Sequence, residues 1–180
     1  MNLIVACEES QTVCKAFLKR GVNAFSSDIK PCSGGLPDRH LLGDCRHFIE
    51  NPFEAGVSHW DMVIAHPPCT YLARSGACNN QRDPSRIEKG YQAAEFFYYF
   101  YNLDIPKICI ENPVAQRRFG LPPYSQTVNP KDFGEPFSKL TLLWLKGLPP
   151  LISVSPAFED YKSWCMIHHN PTVRSKTLSV

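Results

Sequence analysis

The sequence predicts an α/β fold, with a mostly parallel β-sheet and helices on both of its faces. Short apolar segments of strand length alternate along the chain with segments whose apolar residues recur at helical spacing. Polar, glycine or proline residues follow the apolar segments, as expected where strands end and turns begin. Repeated strand, helix and strand units form parallel sheets, and such sheets bind ligands beyond the carboxyl ends of their strands.

The predicted strands are short and the predicted helices carry one apolar face each. Strands are expected at residues 3–6, 23–27, 62–65, 108–110 and 140–145. A helix is predicted at residues 12–20, because Val13, Ala16 and Phe17 recur at helical spacing and Gly21 follows. Residues 29–44 are rich in proline and glycine and are predicted to form a long loop.

The longest predicted helix covers residues 84–102 and begins at Pro84, which suits a first helical turn. Its apolar face is formed by Ala93, Phe96, Phe97 and Phe100. These aromatic residues are interpreted as core residues, because a helix of a globular protein buries such a stripe.

Composition limits the class of protein. With 180 residues, 43% of them hydrophobic and 20% charged, the chain is expected to form one domain with its own core. The apolar runs are strand-sized, so neither a signal peptide nor a membrane span is expected. The eight cysteines form no C-x-x-C pair, which favours reduced thiols in the cytoplasm. A zinc site formed by Cys32, His40, Cys45 and His47 would lack paired ligands, so no metal is expected.

The charge is only mildly basic. The net charge is +2 and the isoelectric point is about 8.1, whereas a protein that wraps duplex DNA by itself is usually more basic. Any phosphate contacts are therefore expected to be local. The candidates are Arg74, Arg82, Arg86, Arg117, Arg118, Lys139, Arg174 and Lys176.

The most informative motif follows the strand at residues 62–65, which runs through His66 into Pro67, Pro68 and Cys69. The two prolines fix φ and donate no backbone hydrogen bonds, so the loop is expected to hold one shape. Cysteine is most often a buried structural residue. At a rigid strand end, however, Cys69 becomes a candidate nucleophile.

A candidate acid follows the next strand. Residues 108–110 lead into Glu111 and Asn112, and Asn112 is interpreted as a residue that ties this loop to the Cys69 loop. In this order, and with Gly76 after Cys69, the Pro-Pro-Cys and Glu-Asn pairs resemble motifs of the DNA cytosine-5 methyltransferases. The resemblance implies a Rossmann-like S-adenosylmethionine-dependent methyltransferase core. The chain is similar to compact phage- and prophage-encoded proteins of this kind. The similarity implies that the protein is located in the cytoplasm of a bacterial or phage-infected cell.

The chemistry of that family requires both side chains. Carbon 5 of cytosine is a weak nucleophile, so a thiolate first adds to carbon 6 and makes the ring an enamine. A carboxyl group bonded to the ring offsets the charge that develops. The resemblance implies that Cys69 is the nucleophile and Glu111 the acid. The expected catalytic residues are Cys69, Glu111, Pro68 and Asn112.

The resemblance implies that S-adenosylmethionine lies across the ends of the first strands. Asp28 would bind the ribose hydroxyls, and Gly43 with Asp44 would contact the adenine. The expected cofactor-binding residues are Ala6, Cys7, Glu8, Glu9, Ser10, Asp28, Gly43, Asp44, His66 and Pro67. The chain departs from the family in its first turn, where bulky residues replace the glycine-rich sequence.

Residues 133–145 resemble the family's Tyr-Gly-x-Pro-Gln-x-Arg-x-Arg segment and the strand after it. Lys139 and Thr141 stand where the family has two arginines that hold the base and the active-site loops. A lysine and a threonine lack the planar fork of arginine. The expected substrate-binding residues are Arg74, Ser75, Arg117, Arg118, Lys139 and Thr141.

The expected organisation is a catalytic core at residues 1–150 and a carboxyl-terminal extension at residues 151–180 that packs on it. The chain has no room for the family's target-recognition domain. Because base flipping costs a few kcal/mol, the expected acceptor is cytosine in DNA, single-stranded or mismatched, unless a protein partner supplies recognition. Two alternatives remain open. One is a non-catalytic core that binds a nucleotide or a protein; the other is a pyrimidine-modifying enzyme acting on RNA or a free nucleotide.

Overall fold

The computed structural model of the chain describes residues 1–135, 137–153 and 162–163. Its strands are β1 Asn2–Ala6, β2 Asn23–Asp28, β3 His40–Leu42, β4 Met62–Ala65, β5 Lys107–Asn112, β6 Gln126–Val128, β7 Phe137–Ser138, β8 Thr141–Lys146 and β9 Lys162–Ser163. Its α-helices are α1 Thr12–Leu18, α2 Cys45–Glu50 and α3 Ser85–Tyr101. Short 3-10 turns connect these elements.

The central sheet has seven strands in the order β3-β2-β1-β4-β5-β8-β6. Strands β1 to β5 pair in parallel, whereas β8 is antiparallel to both β5 and β6. The sheet grows from β1 towards β3 on one side and towards β4 and β5 on the other. The strand order therefore reverses between β1 and β4, which is the switch point where open α/β sheets bind ligands.

Helices cover both faces of the sheet, as predicted. Alternate residues of β1 point to opposite faces. Ile4 belongs to the core beneath α2 and α3, and Leu3 belongs to the core beneath α1. The predicted aromatic face of α3 is confirmed by Phe97 and Phe100, which are fully buried. The α/β class and the mostly parallel sheet are thus confirmed.

Several local predictions were wrong. Residues 29–44 are not only a loop, because β3 lies within them and pairs with β2 at the edge of the sheet. The three residues of β3 are half-buried or exposed, so they carry no apolar pattern. Sequence patterns also missed α2 and β6, which are six and three residues long. The last core strand is Thr141–Lys146, and β5 continues through Asn112.

The expected carboxyl-terminal extension lies largely outside the described residues, as do Arg174 and Lys176. In the described ranges no helix combines the length and apolar character that crossing a bilayer requires. Among the same residues no three His, Cys, Asp or Glu side chains are grouped as metal ligands, and the suggested zinc set is not brought together.

Candidate active site

The Cys69 and Glu111 loops lie side by side because β4 and β5 are paired strands. Ala65 at the end of β4 is in register with Ile110 of β5. Glu111 follows Ile110 within β5, and Cys69 follows β4 after the two prolines. The parallel pairing therefore places the thiol and the carboxyl group at the same edge of the sheet.

A buried hydrogen bond joins the two loops at their base. The side-chain amide of Asn112 donates to the carbonyl of Pro67 at 2.9 Å, and Asn112 is only 1% exposed. Proline lacks an N–H, so this carbonyl is the hydrogen-bonding group that Pro67 offers. The interpretation of Asn112 as the tie between the loops is confirmed.

A second clamp, centred on Gln116, was missed by sequence reasoning. Its backbone N–H donates to Leu72 O at 2.9 Å, and its side-chain amide donates to the carbonyls of Tyr71 and Ala73 at 3.3 Å each. The backbone N–H of Arg74 donates to Val114 O at 2.8 Å. A single glutamine in a loop has no periodic pattern, so only the fold reveals that it is buried.

We expect Asn112→Ala to lower the free energy of unfolding by about 1–3 kcal/mol, because it leaves a buried carbonyl without its partner. Urea unfolding followed by circular dichroism measures this change. Asn79→Ala is the matched control, because Asn79 is exposed. Equal stability of the two variants would contradict the role of Asn112.

The Cys69 thiol is partly buried, and the charged groups around it shift its pKa in opposite directions. Burial raises the pKa of Cys69, the Glu111 carboxylate raises it further, and the Lys139 charge opposes both. The net pKa is above the ordinary value, so the thiol is mostly protonated at neutral pH. Cys69 is thus positioned at the site, but the ligand-free protein does not pre-ionise it.

Glu111 is surrounded by groups that favour its charged form. Burial raises the pKa of Glu111, but a hydrogen bond and charge from His66, the Lys139 charge and the Thr141 hydroxyl outweigh it. The net pKa lies below the ordinary value. The His66 Nδ1 to Glu111 Oε2 distance is 3.4 Å. Of the predicted substrate residues, Lys139 and Thr141 therefore influence Glu111 directly.

A cavity of about 420 Å³ lies beside this pair, over the ends of β1 and β2. Its volume is in the range of small-molecule sites. It is lined by five predicted site residues, Cys7, Asp28, Gly43, Asp44 and Pro68. The other lining residues are Ile29, Lys30, Cys45, Arg46 and Phe96. The cavity thus extends from the second strand end to the loop that carries Cys69.

The two aspartates of the cavity differ in their contacts. One carboxylate oxygen of Asp28 accepts from Lys30 N at 3.0 Å, which is a local turn. Asp44 caps α2 by accepting from Arg46 N, and the Arg46 guanidinium holds the pKa of Asp44 below its ordinary value. The carboxylate of Asp44 is thus engaged by its own helix, whereas Asp28 has the freer carboxylate.

The first turn is built without glycine. Cys7 and Gln11 adopt φ of 61° and 58°, in the left-handed region that favours glycine. Glu8 is buried and accepts hydrogen bonds from the N–H groups of Val13 and Cys14, so its carboxylate caps α1. The predicted role of Glu8 as a cofactor-binding residue competes with this capping role.

The Gln11 side chain fastens the loop after β2 over this turn. Gln11 is fully buried and exchanges two hydrogen bonds with the backbone of Leu36. Gly34 lies so close that an added Cβ would be 2.4 Å from Ser10 O. Glu9 is half-buried, Ser10 is exposed and Ala6 is buried. The loop after β2 therefore packs closely on the first turn and holds it in place.

The remaining predicted substrate-binding residues are exposed on the loops that follow Cys69 and Glu111, which we call the rim of the site. They are Arg74, Ser75, Arg117 and Arg118. Arg86 of α3 donates to Thr70 O at 3.0 Å and so supports the Cys69 loop from outside. This anchor was expected only as a phosphate contact.

Comparisons of the chain with protein-family models and with curated proteins found no match. Fold and geometry define an α/β protein with a mostly parallel sheet, and with a thiol, a carboxyl group and a small-molecule cavity at one sheet edge.

Proposed function

We propose that this protein transfers a methyl group from S-adenosylmethionine to carbon 5 of cytosine in DNA. The observation that carries the proposal is the clamped pair of loops after β4 and β5, which holds Cys69 beside Glu111. The Glu111 carboxylate raises the pKa of the Cys69 thiol, which supports an interaction between the two groups.

The cavity beside Cys69 fits the proposed donor. Asp28 would bind the ribose hydroxyls, Ile29 and Phe96 would provide apolar contacts for the adenine, and Cys7 and Pro68 would line the end nearest Cys69. When bound, S-adenosylmethionine would supply an electrophilic methyl group. Ser27 Oγ and His66 Nε2 are buried without a hydrogen-bond partner among the described residues.

The protein's own residues would prepare the ring for methylation. The Cys69 thiol gives its proton to solvent and its sulfur forms a bond to carbon 6, while the double-bond electrons shift through carbons 5 and 4 so that nitrogen 3 receives an electron pair. Glu111 donates a proton to ring nitrogen 3, so the ring gains no net negative charge. Before that transfer the protonated Glu111 carries no charge, so it does not raise the pKa of Cys69 as the carboxylate does.

The acceptor is proposed to be cytosine in single-stranded or mismatched DNA. The exposed arginines at the rim, Arg74, Arg117 and Arg118, would contact the phosphates of a short stretch of strand. A duplex would add the cost of unpairing the base, a few kcal/mol. RNA, a free nucleotide or a duplex delivered by a protein partner are the alternatives that a substrate screen separates.

Covalent trapping tests the proposal. A single-stranded oligonucleotide with 5-fluorocytosine is incubated with the protein and S-adenosylmethionine, because fluorine at carbon 5 prevents release of the adduct. We expect a denaturant-stable complex, attached at Cys69, that requires the donor. Matched duplex and RNA oligonucleotides rank the acceptors. A donor that binds, with no complex on any oligonucleotide or free nucleotide, would overturn the proposed reaction.

A second candidate is a non-catalytic core that binds a nucleotide or a protein. The raised pKa of Cys69 favours it, because reactive cysteines usually have lowered pKa values. Calorimetric titration with S-adenosylmethionine separates the candidates. Micromolar binding supports the enzyme, and the absence of heat at millimolar donor supports the binding module.

Asp28→Asn is expected to weaken binding of S-adenosylmethionine by about 1.5–3 kcal/mol, the value of a hydrogen bond to a charged group. Asparagine keeps the acceptor oxygen for Lys30 N, so the local turn is preserved. The same titration measures the change. Asp104→Ala is the control, because Asp104 is exposed and precedes β5 at the opposite sheet edge. Unchanged affinity in Asp28→Asn would remove Asp28 from the site.

A further inference from the structure

His66 lies at the switch point of the sheet, between the cavity and the acid. Its backbone N–H donates to Ala6 O at 3.0 Å, which holds residue 66 beside the end of β1. Its ring points towards β5, where Nδ1 lies 3.4 Å from Glu111 Oε2. The other ring nitrogen, Nε2, is buried and has no hydrogen-bond partner among the described residues.

Two carboxylates face this one imidazole. Glu111 contacts it from β5, and Glu8 from the turn after β1 feels its charge. Lys139 and Thr141 face Glu111 from the segment before and at the start of β8, and Cys69 faces Glu111 from the loop of His66 itself. Lys15 of α1 faces Glu8. His66 thus belongs to a network whose members come from five parts of the fold.

Glu8 has little freedom to act in place of Glu111. Its two carboxylate oxygens accept hydrogen bonds from Val13 N and Cys14 N at 2.5 and 3.1 Å. Those bonds cap α1, so a proton placed on Glu8 would weaken the helix cap. Within the described residues the Glu111 carboxylate does not cap a helix. A proton on His66 Nδ1 can therefore pass to it through a single contact.

We infer that His66 supplies the proton that Glu111 donates to the cytosine ring, an inference that rests on the proposed function. The imidazolium Nδ1–H bond breaks and the proton passes to Glu111 Oε2. The carboxylate becomes a carboxylic acid, and the imidazole becomes neutral with its remaining proton on Nε2. His66 acts through Glu111 and is therefore a positioning residue.

This arrangement resolves a conflict within the site. The reaction needs Glu111 as an acid, whereas its surroundings keep it ionised in the ligand-free protein. A proton held on His66, which contacts Glu111, satisfies both conditions, because it passes to Glu111 when the cytosine ring binds. Transfer then requires one proton on the His66 and Glu111 pair, and the rate falls at alkaline pH as that proton is lost.

Two isosteric variants test the inference. His66→Asn keeps an amide near the position of Nδ1, whereas His66→Gln places one near Nε2, and neither can carry the titrating proton. His47→Gln is the control, because His47 is exposed and pairs only with Glu54 among the described residues. The first readout is the titration of the Glu111 side-chain carboxyl by ¹³C NMR in the ligand-free protein. The second is the pH profile of kcat/KM on an unmodified cytosine substrate of the type that forms the covalent complex.

The expected result has two parts. The Glu111 titration moves to higher pH in His66→Gln, with the control unchanged. Both His66 variants lose at least roughly tenfold in kcat/KM at neutral pH, and their alkaline limbs move to lower pH. If His66 only holds Glu111 in place, His66→Asn retains the wild-type rate and profile, and the inference is wrong.

The two proposals fail in different ways. If Glu111 titrates identically in wild type and His66→Gln, the coupling is absent and the inference is wrong, while methyl transfer by wild type stands. If wild type neither binds the donor nor forms the covalent complex, the proposed function fails, and the inference fails with it even where the NMR coupling is present.

Discussion

Replacing Cys69 by alanine is expected to abolish methyl transfer, with a loss of at least about 1,000-fold in kcat, the scale seen when a nucleophile is removed. Two neighbouring cysteines are poorly suited to take its place. Cys109 lies on β5 with a pKa of about 11, raised by burial and by Glu111, and Cys7 is held protonated by its contact with Cys45 and by burial. In the proposed reaction the attacking sulfur is therefore expected to come from the Pro-Pro-Cys loop.

The same variant should keep its affinity for S-adenosylmethionine within a few-fold. Cys69 is not among the residues that line the cavity of about 420 Å³, whereas its neighbour Pro68 is. Transfer is measured with a radiolabelled methyl group and affinity by calorimetry. Cys78→Ala is the matched control, because Cys78 is exposed on the same loop. If Cys69→Ala retained turnover, the covalent mechanism would be contradicted.

Glu111→Gln is expected to change two measurements in opposite directions. Transfer should fall by roughly 100-fold or more, the usual contribution of a positioned acid. The Cys69 thiol should become more reactive, because the Glu111 carboxylate raises its pKa and the neutral amide does not. A lower thiol pKa gives more thiolate at any pH below it, so alkylation by iodoacetamide at pH 7 is faster in the variant.

Alkylation is followed at Cys69 by mass spectrometry of the peptide that contains it, since Cys78 is exposed and reacts as well. Lys139→Met provides the reverse test, because the Lys139 charge lowers the pKa of Cys69 and its loss should slow alkylation. Glu88→Gln is the control for charge, because Glu88 is exposed on α3. An unchanged or slower alkylation in Glu111→Gln would show that the two loops are not coupled.

Local patterns were sufficient for the elements that carry the candidate chemistry. The end of β4 before His66 and the apolar start of β5 before Glu111 follow from short apolar runs, and the buried face of α3 follows from helical spacing. The family resemblance predicted that Asp28, Gly43 and Asp44 share a site, and a single cavity includes all three. These features could be predicted because each depends on residues close together in the chain.

Contacts between distant residues could not be predicted in this way. The edge strand β3 has no apolar pattern and exists through its pairing with β2. The clamp by Gln116 and the contact between His66 and Glu111 join segments separated along the chain. The antiparallel direction of β8 likewise depends on how the chain returns to β5. Strand and helix signals arise within a few residues, whereas strand register and the burial of single polar side chains are set only when the whole sheet assembles.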